Sequence, residues 1–271
     1  MQSNKFYILL MQTDFTKIRA VKEYTFRFCI CTIVNDDAEY NLMKQSFETA
    51  GFIGDCQYLI ADNTAENNFD AYTAVRRFLQ ESDALYTIIV HQDVRCEDSR
   101  SILDQCLESL NEIDSSWAIC GNAGAADYKK IVYHINVAGD VRKSPDLPKR
   151  VYSLDENLLI IKTETLISVS ANIGNFHFYG TDLCILADML GYASYVIPFM
   201  VKHLSKGNLD DMELKKPAFV KAYGYKLRHR FIQTTCTNFY LGKSQNQNKF
   251  LNSKPVFFWV KAKTRLKNLF R

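Results

Sequence analysis

Residues 85–94 read LYTIIVHQDV. Six strand-forming residues, Leu85 to Val90, run without a break and stop at His91-Gln92-Asp93, a polar group suited to a turn. A short run this apolar fits a strand buried on both faces, as in a parallel sheet covered by helices. Toward the amino terminus the same unit occurs twice. FRFCICTIV at 26–34 reads as a strand ending at Asn35-Asp36-Asp37, and residues 39–50 follow at helical spacing through Tyr40, Leu42, Met43 and Phe47 to Gly51. Gln57 to Ala61 then reads as a strand ending at Asp62-Asn63, with a helix over 69–79 carrying Ala71, Ala74, Val75, Phe78 and Leu79. In the other direction, a helix over 102–113 leads to a strand at 117–120 closed by Gly121. The alternation predicts an α/β fold with a mostly parallel sheet flanked by helices.

Beyond that point the pattern changes. Residues 127–162 read as a small β-hairpin region with strands at 131–137, 151–153 and 158–161, and 143–150, with two prolines, reads as a loop or flap. A helix over 181–190 stopped by Gly191, a strand over 194–201 and a polar turn at 203–208 complete it. No internal repeat and no clean linker occur before about residue 212. The expected organisation is a lead-in over 1–25, a main domain over 26–211 and a basic helical extension over 212–271.

Composition narrows the classes. Of 271 residues, 47% are hydrophobic and 23% charged, with 11 Gly and 5 Pro, which excludes disordered and collagen-like chains. No apolar run reaches the roughly 18 to 20 residues of a membrane-spanning helix, and the charged amino terminus lacks the pattern of a secretory signal. A cytoplasmic protein is expected. The eight cysteines show no two-residue gap of a zinc or redox pair, so reduced core thiols are expected, with Cys29 and Cys31 on one face of their strand.

Charge is distributed unevenly. The first 213 residues hold 19 basic and 30 acidic side chains, and the remainder holds 14 basic and none acidic. A polyanionic partner follows as an expectation: anionic lipid, a phosphate-bearing acceptor or nucleic acid. Residues 254–271, which combine Phe257, Phe258, Trp259 and Leu266 with Lys261, Lys263 and Arg265, suit a helix in a membrane interface or one packed on the main domain. Contact with an anionic membrane through 215–271, on the inner face of the plasma membrane, is one expectation. Nucleic acid is not expected, because the α/β half is net acidic.

In open α/β sheets ligands lie beyond the carboxyl ends of the strands. Three such ends would gather Asn35, Asp36, Asp62, Asn63 and Asp93 on one rim, with His91 nearby, although turn propensity alone accounts for any one of them. The chain has no Gly-x-x-x-x-Gly-Lys-Ser/Thr loop and no Gly-x-Gly-x-x-Gly after its first strand. A metal is the remaining common means of neutralising a diphosphate, and Asp93 with His203 could supply two ligands to Mg or Mn.

The order of these elements resembles the GT-A glycosyltransferases, the nucleotide-diphospho-sugar transferase fold, especially family 2. TIIVHQDV at 87–94 stands where that family has a hydrophobic strand and an Asp-x-Asp motif for metal and sugar nucleotide, with His91 in place of the first Asp. FYGTDLCILADMLGYASYVIPFMVKH at 178–203 resembles the family's acidic motif, helix, Gly-aromatic turn, strand and terminal His. Asp182 falls on the last acid of the Glu-Asp-x-Asp pattern and Gly180 on the usual base position. The base is then Asp182 itself, or Asp155 or Glu156 of SLDEN. The resemblance implies nucleotide-sugar contacts from Asn35, Asp62, Asn63, His91, Gln92 and Asp93, a metal held by Asp93 and His203, and an acceptor pocket bordered by His177 and Tyr179. It covers roughly 26–208 and implies transfer of a sugar, with inversion, to a hydroxyl of a cell-surface polysaccharide or lipid-linked glycan. A non-catalytic binding or assembly module is the alternative, motivated by His91 and Gly180.

Overall fold

A computed structural model describes residues 22–127, 130–205, 209–253, 255–256 and 258–259. The first half alternates as expected: β1 (Phe26–Val34), α1 (Asp37–Thr49), β2 (Cys56–Asp62), α2 (Ala71–Glu81), β3 (Ala84–Val90), β4 (Val94–Cys96), α3 (Arg100–Ile113) and β5 (Trp117–Gly121). The hairpin region follows as β6 (Ala123–Asp127), β7 (Lys130–Val137), β8 (Asp140–Lys143), β9 (Lys149–Val151), β10 (Ser153–Leu154) and β11 (Leu158–Lys162). The chain continues through α4 (Tyr179–Met189), β12 (Ala193–Val196), β13 (Val201–His203), α5 (Leu209–Lys226), β14 (Arg230–Gln233), β15 (Asn238–Leu241) and α6 (Gln245–Leu251).

The main sheet has the order β2-β1-β3-β11-β5-β12-β9. β1, β2, β3, β5 and β12 run one way, and β11 and β9 run against them. This is the predicted α/β architecture, a mostly parallel sheet flanked by helices with a β-hairpin region, with one antiparallel strand inserted at its centre.

Both faces of the sheet are buried, which explains the unbroken apolar runs. Alternate residues of β1 and β3 enter opposite cores: Cys29, Cys31 and Ile89 on the side of α2 and α4, and Phe28, Ile30, Ile88 and Val90 on the side of α1 and α3. Trp117 is fully buried, stacks on Tyr86 at 6.0 Å and donates its indole N–H to Asn111 Oδ1 at 2.8 Å. The cysteines are free thiols, and Cys29 and Cys31 share one face with their sulfurs 3.5 Å apart.

A second sheet, β10-β6-β7-β13-β4 with β8 beside β7, lies next to the rim. The strand expected over 151–153 divides between β9 of the main sheet and β10 of the second, and the loop expected over 143–150 contains the start of β9. The strand anticipated over 194–201 is two strands in two sheets, divided at Pro198, which has no N–H to donate to a ladder. The boundary expected at 211/212 falls inside α5, and the extension expected to be helical contains the β14–β15 hairpin. Phe219 of α5 packs on Phe178 at 5.0 Å and on Tyr223 at 4.9 Å, tying α5 to the start of α4. Most of 254–271, and 1–21 of the lead-in, lie outside the described residues.

Candidate metal and nucleotide-sugar site

Parallel β2, β1 and β3 deliver their carboxyl ends to one rim. Gln92, just past β3, accepts at Oε1 from the backbone N–H groups of Asn35 (3.0 Å) and Asp36 (3.2 Å) and donates to Asn35 Oδ1. The ends of β1 and β3 are thereby pinned together. Asp36 caps α1, accepting from Ala38 N at 2.9 Å and Glu39 N at 3.1 Å. Asp62 accepts from the Thr64 N–H and hydroxyl, which hold its carboxyl below the usual range. Asn63 is buried, and both ends of its amide bridge to the Phe69 backbone, so it fixes the loop before α2.

The second sheet brings His203 to Asp93. β13 pairs antiparallel with β4, placing His203 opposite Val94, and Leu204 N donates to the Asp93 carbonyl at 3.0 Å. His203 Nε2 lies 3.3 Å from Asp93 Oδ1 and 3.2 Å from Ser205 Oγ. Ligand atoms of His91, Asp93 and His203 lie within 4.8 Å of one another, so the cluster could hold a metal ion. The His203 side chain retains 12% exposure and that of Asp93 28%, which leaves the cluster reachable from solvent.

Electrostatics favour a charged carboxylate here. Burial alone would raise Asp93, but the hydrogen bond and charge of His203, with Ser205 and His91, hold it well below the carboxylate range. Burial and the neighbouring His203 push His91 down against the pull of Asp93 and Asp155. Burial would likewise lower His203, yet Asp93 raises it on balance.

A relay orients His91. The Tyr179 hydroxyl donates to the Glu156 carbonyl oxygen at 3.1 Å, and His91 Nε2 lies 2.9 Å from that hydroxyl. When the hydroxyl proton goes to Glu156, Nε2 donates and Nδ1 keeps the lone pair a metal requires. Two imidazoles and one carboxylate suit Mn and its transition-metal neighbours better than Mg, which prefers oxygen alone. His91, the departure from Asp-x-Asp, could thus supply a third donor.

Tyr179 opens α4, and the residue before it, Phe178, adopts φ 67°, a left-handed conformation costly for a bulky side chain. The turn aims the first backbone N–H groups of α4 at Glu156, whose Oε1 accepts from Gly180 N at 3.2 Å. A Cβ on Gly180 would lie 3.2 Å from Glu156 Cγ and 2.7 Å from the Leu154 carbonyl oxygen. The Glu156 side chain thus stands against the space a residue-180 side chain would take. Burial pushes its carboxyl up to about 8, outweighing the N–H groups of Gly180, Tyr179 and Phe178. Asp155, exposed beside it, accepts from Asn157 N at 3.0 Å and Asn157 Nδ2 at 2.6 Å.

Asp182 sits elsewhere in character. It is fully buried, with Oδ2 accepting from Ser170 N at 2.6 Å and Oδ1 from Ser170 Oγ at 2.6 Å and the Tyr223 hydroxyl at 2.5 Å. These bonds join the segment before α4, α4 itself and α5. His177 pairs with Asp211 of α5 at 2.9 Å.

Two rim residues went unread in the sequence. Asn122 follows β5 and Asn157 precedes β11; both are fully buried, and His91 N donates to the Asn157 carbonyl at 3.2 Å. Among the described residues neither Asn122 side-chain atom, nor Asn157 Oδ1, has a hydrogen-bond partner. Buried amides rarely stay unpaired, so these are open positions for a bound polar group or water. The available signal was an Asx past a fourth strand, β5, and another just before β11.

The described chain is thus an α/β protein with a His-Asp-His cluster on the carboxyl rim of its sheet. No protein-family model matches it. It is 32% identical over 205 residues to a Fuscovulum blasticum protein named "ATP synthase subunits region ORF 6", covering 72% of this chain and 82% of that one. The chain belongs to the family of that protein, whose name states no activity. Among solved structures it is similar to the mannosyltransferase PcManGT from Pyrobaculum calidifontis in complex with GDP-Man and Mn2+, with TM-score 0.49 and 13% identity over 77% of this chain and 68% of that one. It is also similar to A197 from STIV, with TM-score 0.43 and 14% identity over 67% and 87% of the two chains. No helix among the described residues is long and apolar enough to cross a membrane.

Proposed function

We propose that the chain is a glycosyltransferase that moves a sugar from a nucleotide-diphosphate donor to an acceptor hydroxyl. The observation that carries this reading is the convergence of His91, Asp93 and His203 on the rim where three parallel strands end. Bound there, Mn or a similar divalent ion supplies Lewis-acid stabilisation of the departing diphosphate. Asp93 and His203 would hold it, with His91, whose Nε2 contacts the Tyr179 hydroxyl, as a third donor. Asn35, Asp62 and Gln92 border the nucleotide, with Asn63 fixing the loop beneath. The unpaired amide of Asn122 and the unpaired Oδ1 of Asn157 offer hydrogen bonds to donor hydroxyls.

The base role is assigned to Glu156 rather than Asp182. Both Asp182 oxygens are engaged inside the core, whereas Glu156 stands against the space left by Gly180. A carboxyl near 8 lies close to working pH, where a general base is efficient. It takes the proton of the acceptor hydroxyl as that oxygen attacks the anomeric carbon, with inversion, and Asp155 beside it orients the acceptor. A glycan or lipid-linked glycan is the proposed acceptor, with His177 at the edge of its pocket.

The test incubates the full chain with a panel of nucleotide sugars and Mn or Mg, reading nucleotide diphosphate release and ligand heat. Turnover lost in Asp93→Ala supports the reading. No binding to any donor with either ion overturns it, and binding without turnover favours a non-catalytic module.

A further inference from the structure

A cavity of about 630 Å³ lies away from the rim, between the end of α4, the end of α5 and the β14–β15 hairpin. Its walls include Lys226, Arg228, Arg230 and Lys243, with Leu227 and Leu241 as apolar surface. None of these four cations has a carboxylate within ion-pair distance among the described residues, and the sequence after Glu213 contains no acid. Lys226 Nζ is buried without a hydrogen-bond partner and lies 4.5 Å from the Tyr223 ring centroid. Arg230 donates to the Lys226 carbonyl at 3.0 Å and Arg228 to the Tyr225 carbonyl at 2.8 Å, so both guanidinium stems are held by backbone.

Large apolar side chains of the same segment stay in water: Leu241 is 47% exposed, Phe250 64%, Phe258 71% and Trp259 75%. Uncompensated positive charge beside exposed aromatic and aliphatic groups matches an interface of phosphate headgroups over hydrocarbon. A nucleic acid would gain from the cations and rings, but nothing from an exposed leucine, and the acidic first 213 residues would repel an extended polyanion.

We propose that this cavity binds the phosphate of an anionic lipid headgroup and that the exposed Leu241, Phe250, Phe258 and Trp259 dock the protein on an anionic bilayer. The inference does not depend on the transferase reading. The chain has two tryptophans, and Trp117 is fully buried, so an emission change reports Trp259.

The full chain is mixed with phosphatidylcholine vesicles, with or without about one third phosphatidylglycerol, and followed by flotation and tryptophan emission. Flotation with the anionic vesicles alone, a blue shift of emission, and loss of binding as salt rises from about 0.1 to 0.5 M are expected. Arg230→Glu with Lys243→Glu, both exposed, should lower partitioning by roughly a hundredfold at unchanged Tm. Should that variant not fold, the salt series and the emission shift of the unaltered chain decide. Equal binding to both vesicle types, or to neither, overturns the proposal. So does displacement by stoichiometric single-stranded DNA, or saturation by millimolar inorganic phosphate without vesicles.

Discussion

In the seven-stranded sheet, Phe28, Ile30, Ile88, Ile160 and Trp117 are shut off from water, whereas Phe250, Phe258 and Trp259 near the carboxyl terminus stay largely wet. In the first region each buried side chain adds about 1.5 to 3 kcal/mol and its neighbours fix its rotamer, so strand ends are placed within a narrow tolerance. In the second region the same residue types add little to the fold and remain available to a surface outside it. The difference separates a part whose packing holds the polar strand ends in register from a part whose apolar side chains are left exposed. Asp182 joins them: its carboxylate is the point where Tyr223 of α5 enters the core.

The largest expected effect would test whether the rim is the working part. Asp93→Ala should reduce nucleotide-sugar turnover on the order of a hundredfold or more while leaving the fold intact, as judged by circular dichroism. Retained turnover would break the assignment of function to the rim.

Asp182→Ala addresses the link between the regions. It strands the Ser170 N–H and the Tyr223 hydroxyl in the core, and stability should fall by about 2 to 4 kcal/mol in urea unfolding. A stable but inactive variant would instead return the base role to Asp182.

Glu156→Gln separates pH effects. The native carboxyl keeps its proton to about 8 while the unfolded chain releases it near 4.5, so native stability falls as pH rises between those values and stays low above them. The Gln variant should match the parent at pH 4 and melt a few degrees higher at pH 9. Its turnover should drop on the order of a hundredfold. A turnover pH profile unchanged from the parent's would remove Glu156 as base.

The smallest effect sharpens the other side of the comparison. Phe250→Ser should change unfolding free energy by no more than about 0.5 kcal/mol, because the ring is mostly in water already. A loss of several times that amount would mean that the segment is packed into the fold.

Much of the frame was readable from local pattern. Strand, Asx turn and helix recur three times, and each periodic run became the expected element within a few residues. The reading faltered at Pro198, where one apolar run serves two sheets, and at β4, β6 and β8, which are short or carry Ala, Gly and charged residues. The β14–β15 hairpin was missed because its tight chain reversal, Thr234 to Thr237, carries no Gly or Pro.

Sequence alone determined the apolar periodicity, the placing of polar residues at the strand ends and the separation of charge at Glu213, since each depends only on residue type and order. Tertiary structure decided which polar groups meet. His203 reaches Asp93 through the pairing of β13 with β4, Glu156 reaches Gly180 across the start of α4, and Tyr223 closes over Asp182. Those contacts join residues distant in the chain, and their geometry follows from how the sheets and helices pack rather than from any local preference.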